Sequence, residues 1–154
     1  MNRISPAPMT ADRPVTHPAA AASGRNIICI ASGKGGVGKT WLAITMSHVL
    51  AKSGQRTLLF DGDLGLANVD VQLGLMPEKD LSGVIAGQIS LANAVSQFEP
   101  GGFDVIAGSS GSGALATLEL PRLDALRNDL LRLAGRYDRV VLDLQIHDLA
   151  GLHR

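Results

Sequence analysis

Gly33-Lys34-Gly35-Gly36-Val37-Gly38-Lys39-Thr40 is the stretch on which the reading of this chain turns. The octapeptide satisfies G-x-x-x-x-G-K-[ST], the spacing of a phosphate-binding loop. In such a loop backbone N–H groups cradle phosphates, the lysine reaches the β/γ-phosphates and the hydroxyl takes Mg2+. The flanks have the shapes the motif requires. Asn26-Ile27-Ile28-Cys29-Ile30-Ala31-Ser32 is a short apolar, β-branched run that predicts a buried strand. Downstream, Leu42, Thr45, Met46, Val49 and Leu50 predict a helical face, closed by Gly54 at a helix-stop position. Strand, loop and helix together set the partial positive charge of the helix N-terminus against the anion site. A glycine-rich turn that binds nothing would explain the loop but not its flanks.

A second lysine, Lys34, follows the first glycine. An ordinary phosphate loop needs no cation there, because Lys39 already serves the phosphates. By position Lys34 is either a solvated surface lysine or a group that crosses a dimer interface to phosphates held by another subunit. The wording K-G-G-V-G-K-T resembles the deviant Walker A motif of the MinD/ParA ATPases. That resemblance implies an ATP-dependent homodimer, with Lys34 acting across the ATP sandwich.

Thr57-Leu58-Leu59-Phe60-Asp61 predicts a strand ending in a carboxylate, followed by Gly62-Asp63-Leu64-Gly65-Leu66-Ala67-Asn68-Val69-Asp70. Parallel sheets bind ligands at the carboxyl ends of their strands, so Asp61 and Asp63 are expected to face the phosphate pocket. One carboxylate can hold Mg2+ through water while another orients the attacking water. A solvated turn with acidic caps accounts for D-x-D alone. The longer string resembles the first switch of the same family, above all in its flagellar-placement branch, FlhG and FleN. By that resemblance Asp63 positions the catalytic water, Asp61 supports the metal shell, and Asn68 belongs to the switch and dimer surface. The resemblance runs from about Asn26 to Asp143.

Further along, Leu81, Val84 and Ile85 predict one short helix, and Leu91, Ala94 and Val95 another. Phe103-Asp104-Val105-Ile106-Ala107 predicts a third strand, leading into Gly108-Ser109-Ser110-Gly111-Ser112-Gly113. That polar loop lacks a lysine and an immediate helix, so it reads as a linker. Pro121 opens a helix with Leu123, Leu126, Leu130, Leu133 and Ala134 in one stripe, stopped by Gly135. Arg139-Val140-Val141-Leu142-Asp143 is a fourth strand. It resembles the Walker B element, whose carboxylate holds a water on Mg2+ beside Thr40. The implied fold is α/β, a parallel-sheet P-loop NTPase of the SIMIBI/MinD-like kind, represented by its N-terminal half.

Three segments are expected: a disordered arm over residues 1–24, an ATPase half-domain over 25–144, and an aberrant or truncated tail over 145–154. The arm has Pro6, Pro8, Pro14 and Pro18 with no hydrophobic period and no apolar signal region, which predicts a cytoplasmic protein. In the tail, Gln145-Ile146-His147-Asp148-Leu149 stands where the family has a short glycine turn. His147, Asp148 and His153 offer too few ligands in a fixed frame for a metal site. The family usually continues for about another half-domain, and four strands alone would leave Asn26–Ser32 as an apolar edge. Marginal stability is therefore expected.

Fourteen basic and fourteen acidic residues cancel, so no global field draws the chain to nucleic acid or anionic lipid. A lone cysteine, Cys29, rules out an internal disulfide or a multi-cysteine site. No apolar stretch approaches a membrane span. The resemblance implies an ATP- and Mg2+-dependent switch that positions or counts flagella, with a flagellar signal-recognition-type GTPase as partner. The rivals are another member of the class, such as a partitioning or division-site ATPase, and a non-catalytic nucleotide-binding fragment. The motif set of protein kinases is missing.

Overall fold

The structure, a computed structural model, describes residues 24–63, 67–108 and 119–145. Outside them lie the arm before Gly24, the linker beyond Gly108 and the tail beyond Gln145. Five strands form one sheet: β1 (Ile27–Ser32), β2 (Thr57–Asp61), β3 (Val95–Phe98), β4 (Phe103–Ile106) and β5 (Arg139–Gln145). Their spatial order is β1-β5-β2-β4-β3, parallel throughout except for the antiparallel β3–β4 pair. The helices are α1 (Lys39–Lys52), α2 (Val69–Leu73), α3 (Leu81–Ile85) and α4 (Leu120–Ala134), with a 3-10 turn at Leu91–Ala94.

The period-2 geometry of the strands divides the core into two layers. Leu58, Phe60, Ile106 and Val140 pack with Leu81, Leu91, Leu133 and Ala134 on the α3–α4 face. Leu59, Val105 and Val141 pack with Ala43 and Val69 on the α1–α2 face. β2 is the middle strand, and all five of its residues are buried, as a parallel strand covered on both faces requires. Burying Leu58, Leu59 and Phe60 contributes about 1.5–3 kcal/mol each. Asn26 ties the start of β1 to the end of α4 by donating to the carbonyls of Ala134 (2.8 Å) and Tyr137 (2.9 Å).

Three expectations need correction. Met46 and Leu50 of the expected α1 face pack against the core, but the buried residues are Lys39, Ala43 and Ser47, while Leu42 and Val49 are exposed, Val49 by 62%. Small side chains let α1 lie close to the sheet, with Ser47 returning its hydroxyl hydrogen to the Ala43 carbonyl at 2.8 Å. Val95 does not continue a helix: the 3-10 turn ends at Ala94, and Val95 starts β3. The sheet thus has five strands where four are expected. Pro100, Gly101 and Gly102 turn β3 into β4, with Gly102 at φ +69°.

The apolar edge is present. Among the described residues β1 pairs only with β5, and it is not the buried strand its apolar run predicts: none of its residues is buried, and Cys29 and Ala31 are exposed. No helix of the described residues is long and apolar enough to cross a membrane.

Candidate functional site

The glycine loop carries the chain from the end of β1 into α1. Gly36 and Gly38 have φ of +74° and +89°, a region that side chains with a Cβ enter only at a cost. Gly38 is the N-cap of α1, with no side-chain cap, and the helical ladder begins with Leu42 N–H donating to its carbonyl. The amides of the first turn are therefore available to an anion. Ser32 braces the loop entrance: its hydroxyl donates to the Lys34 carbonyl (2.7 Å) and accepts from the Lys34 N–H (3.1 Å).

Beneath the loop lies a buried charge network. Lys39, only 8% exposed, donates to Asp143 Oδ1 at 2.7 Å and to Asp63 Oδ2 at 3.4 Å. Gln145 donates to the same Asp63 oxygen at 2.7 Å. Burial opposes the charge on Lys39, but the hydrogen bonds and charges of Asp143 and Asp63 outweigh it and hold the ammonium above its ordinary pKa. Asp143 is fully buried, and its Oδ2 has no hydrogen-bond partner among the described residues. A buried acceptor left this way is costly, so it marks a place where a water or cation fits.

Asp61 is placed differently from the sequence expectation. Its carboxylate is buried under the loop that follows β2, and it does not line the pocket. Oδ1 accepts from the Asp63 N–H and Oδ2 from the Val69 N–H, both at 3.1 Å. One carboxylate thereby fastens both ends of the switch-like loop. The packing around it is close: a Cβ on Gly108 would lie 3.0 Å from the Asp61 carbonyl oxygen and 2.7 Å from Ala67 Cβ.

Burial raises the Asp61 pKa from 3.8 to about 7, against the opposing pull of the Val69 and Asp63 amides. The folded protein then keeps a proton that the unfolded chain has released. That stabilisation is complete below about pH 4 and is lost as pH rises through about 7. Nucleotide-free protein is expected to be more stable at about pH 5.5 than at about pH 8, with a smaller difference in Asp61→Asn. Urea unfolding at the two pH values measures this; equal differences in both proteins would exclude Asp61 as the source.

The loop and the switch region face one another across a cavity of ≈ 230 Å³. Lys34, Gly35, Gly36, Gly38, Lys39 and Thr40 reach it; Gly33 and Val37 do not. Asp63, Asn68, Gln72 and Gln145 complete the wall, with Trp41 at the rim. Lys34 makes no ion pair among the described residues. Gln145, Gln72 and Trp41 were not singled out in the sequence. Gln145 could have been, because it follows Asp143 by two on a strand and so shares its face. Rather than belonging only to the tail, it closes β5, in register with Ser32.

Among the described residues no group of three His, Cys, Asp or Glu side chains could hold a metal ion. Magnesium does not need one, since it commonly binds through one or two carboxylates plus substrate phosphates. Thr40 at the cavity and the partnerless Asp143 Oδ2 behind Lys39 fit that donor set.

The sequence profile of the CobQ/CobB/MinD/ParA nucleotide binding domain matches residues 28–151. Antiactivator FleN of Pseudomonas aeruginosa is 38% identical over 117 residues, which is 76% of this chain and 41% of that protein. Among solved structures, the kinase domain of Escherichia coli tyrosine kinase ETK aligns with a TM-score of 0.71 and 30% identity. The alignment covers 84% of this chain and 52% of that one. The septum site-determining protein MinD complexed with Mg-ADP, from Pyrococcus horikoshii, aligns with a TM-score of 0.66 and 28% identity, covering 82% and 53%. The chain thus spans about half, or less, of these relatives. The motif set missing from the sequence says nothing about a tyrosine kinase built on this sheet.

Proposed function

Because the chain belongs to the CobQ/CobB/MinD/ParA nucleotide-binding domain family, we propose that it is an ATP-binding and hydrolysing switch. ATP with Mg2+ drives its homodimerisation, and hydrolysis reverses it. The observation that carries this reading is the buried Lys39–Asp143–Asp63–Gln145 network at the mouth of the glycine loop. It holds a cation on two carboxylates where a triphosphate belongs.

Lys39 is the moving part. In the resting arrangement it neutralises Asp143 and Asp63. Phosphates seated on the loop amides compete for its ammonium, and Lys39 turns to them. Its departure uncovers Asp143, which with Thr40 is suited to hold Mg2+; the bound ion would neutralise charge on the phosphates. Lys34 and Lys39 against Asp63 and Asp143 leave the pocket close to neutral, so triphosphate binding should need the divalent ion. Asp63, held by Gln145, is the carboxylate placed to orient an attacking water. Asp61 supports the site through its loop. Lys34, exposed at the pocket rim, is free to reach a second subunit's phosphates.

The likeness to FleN and to the flagellum site-determining protein YlxH of Helicobacter pylori favours a role in setting the number or position of flagella, and the resemblance of the motifs to the flagellar-placement branch favours a flagellar signal-recognition-type GTPase as partner. The test is Mg·ATP binding, turnover and sedimentation on the full chain and two variants. Lys34→Ala is expected to bind nucleotide but to gain no dimer on addition of Mg·ATP and to show no turnover. Asp63→Ala is expected to accumulate the ATP dimer. A dimer that still forms on addition of Mg·ATP in Lys34→Ala would overturn the role of that lysine, and absence of nucleotide binding in the parent chain would overturn the whole reading.

A further inference from the structure

We infer that Trp41 is the platform on which the nucleoside of the bound nucleotide stacks, so that this half of the fold contributes its own base contact. The inference rests on the nucleotide reading of the pocket. The cavity, at ≈ 230 Å³, is smaller than the roughly 300–1,000 Å³ that encloses a whole small-molecule ligand. It suits the phosphates and leaves the nucleoside on the rim.

The direction in which the nucleoside leaves follows from the chemistry of the loop. Lys39 reaches the β/γ end of a triphosphate while the loop amides hold its α/β part. In this chain Asp63, the carboxylate assigned to the attacking water, lines the cavity and so marks the γ end. The α end then lies towards the first turn of α1, where Trp41 follows Thr40 directly and lines the same cavity. Trp41 is the chain's single tryptophan, and it stands 66% exposed. Phe60, Phe98 and Phe103 are buried in the core and Tyr137 packs against it, so among the described residues no other large aromatic face borders this pocket.

Recognition by such a surface is tolerant. Every base has a π face, and stacking on an aromatic side chain is worth enough to change affinity by roughly fivefold to a hundredfold. The polar neighbours are partly committed to one another, since Gln72 Nε2 donates to Asn68 Oδ1 at 3.2 Å. The platform should therefore favour nucleosides over bare phosphate, and purines over pyrimidines by stacking area, without reading base edges.

The experiment compares Mg·ATP with Mg·tripolyphosphate by calorimetry on the full chain, Trp41→Ala and Trp41→Phe. Trp41→Ala is expected to weaken ATP by roughly tenfold and leave tripolyphosphate unchanged, while Trp41→Phe keeps most of the ATP affinity. In the parent chain the fluorescence of Trp41 should respond more strongly to ATP than to tripolyphosphate. Equal weakening of both ligands in Trp41→Ala, or no weakening of ATP, overturns the platform while leaving the phosphate site intact. A parent chain that binds neither ligand overturns the nucleotide reading itself, and the platform with it.

Discussion

Lys39→Ala is expected to eliminate measurable Mg·ATP binding and, with no nucleotide present, to lower the unfolding free energy by about 3–5 kcal/mol. The two losses have separate origins. Binding fails because the ammonium is the one side-chain cation of the loop that lies inside the cavity wall next to Asp63 and Asp143. Stability falls because Asp143 is fully buried and loses the charge that faces it at 2.7 Å. Asp63 is less affected, since Gln145 still donates to it. A second substitution separates the effects. Lys39→Ala combined with Asp143→Asn removes the stranded charge, so most of the stability should return while nucleotide binding stays absent. Urea unfolding of the parent, Lys39→Ala, Asp143→Asn and the double variant gives the coupling directly. A single variant as stable as the parent would mean that the Lys39–Asp143 pair does not carry the buried charge.

The parts of the molecule legible in the sequence are those governed by local chemistry. The loop was readable because left-handed glycines and a helix N-terminus must occur at fixed spacing, and Gly36, Gly38 and α1 occupy those positions. β1, β2, β4 and β5 were readable as apolar runs, although the β5 aspartate, expected as the partner of Thr40, lies against Lys39. Helix α4 follows its leucine stripe, with Leu126, Leu130, Leu133 and Ala134 packed on the sheet. What escaped depends on tertiary context. The face of α1 was only partly readable: Met46 and Leu50 do pack against the core, but its buried apolar and hydroxyl side chains are Ala43 and Ser47, too small for a search for large apolar residues. β3 escaped because Val95-Ser96-Gln97-Phe98 alternates only briefly, although the Pro100-Gly101-Gly102 turn before β4 was a usable hairpin signal. Asp61 and Asp63 look equivalent in sequence. Only the fold shows one fastening a loop by two backbone amides and the other facing the cavity.

Without nucleotide, a polypeptide of these 154 residues is expected to self-associate through β1, and Cys29→Pro is expected to weaken that association by about tenfold or more. The direction of the backbone groups on β1 supplies the reason. Val140 N–H donates to the Asn26 carbonyl at 2.9 Å, with Ile27 in register with Val140. In a parallel ladder the bonding residues alternate, so Asn26, Ile28 and Ile30 face β5. The N–H and C=O groups of Cys29 and Ala31 face outward, where no described strand meets them, while the Ile27 N–H donates to the Gly24 carbonyl at 3.1 Å. An open apolar edge of this kind is a template for pairing with another chain. Proline at Cys29 removes an outward donor and no bond to β5, which is the edge position where strands tolerate it. Proline at Ile28 removes an inward donor instead. It should cost about 1–3 kcal/mol of stability for the partner left unsatisfied on β5, while the outward donor at Cys29 remains. Light scattering across a concentration series, with thermal unfolding of the same samples, reads both quantities. Association that persists unchanged in Cys29→Pro would mean that copies meet elsewhere, and the exposed face of α1 around Leu42 and Val49 would then be the surface to alter.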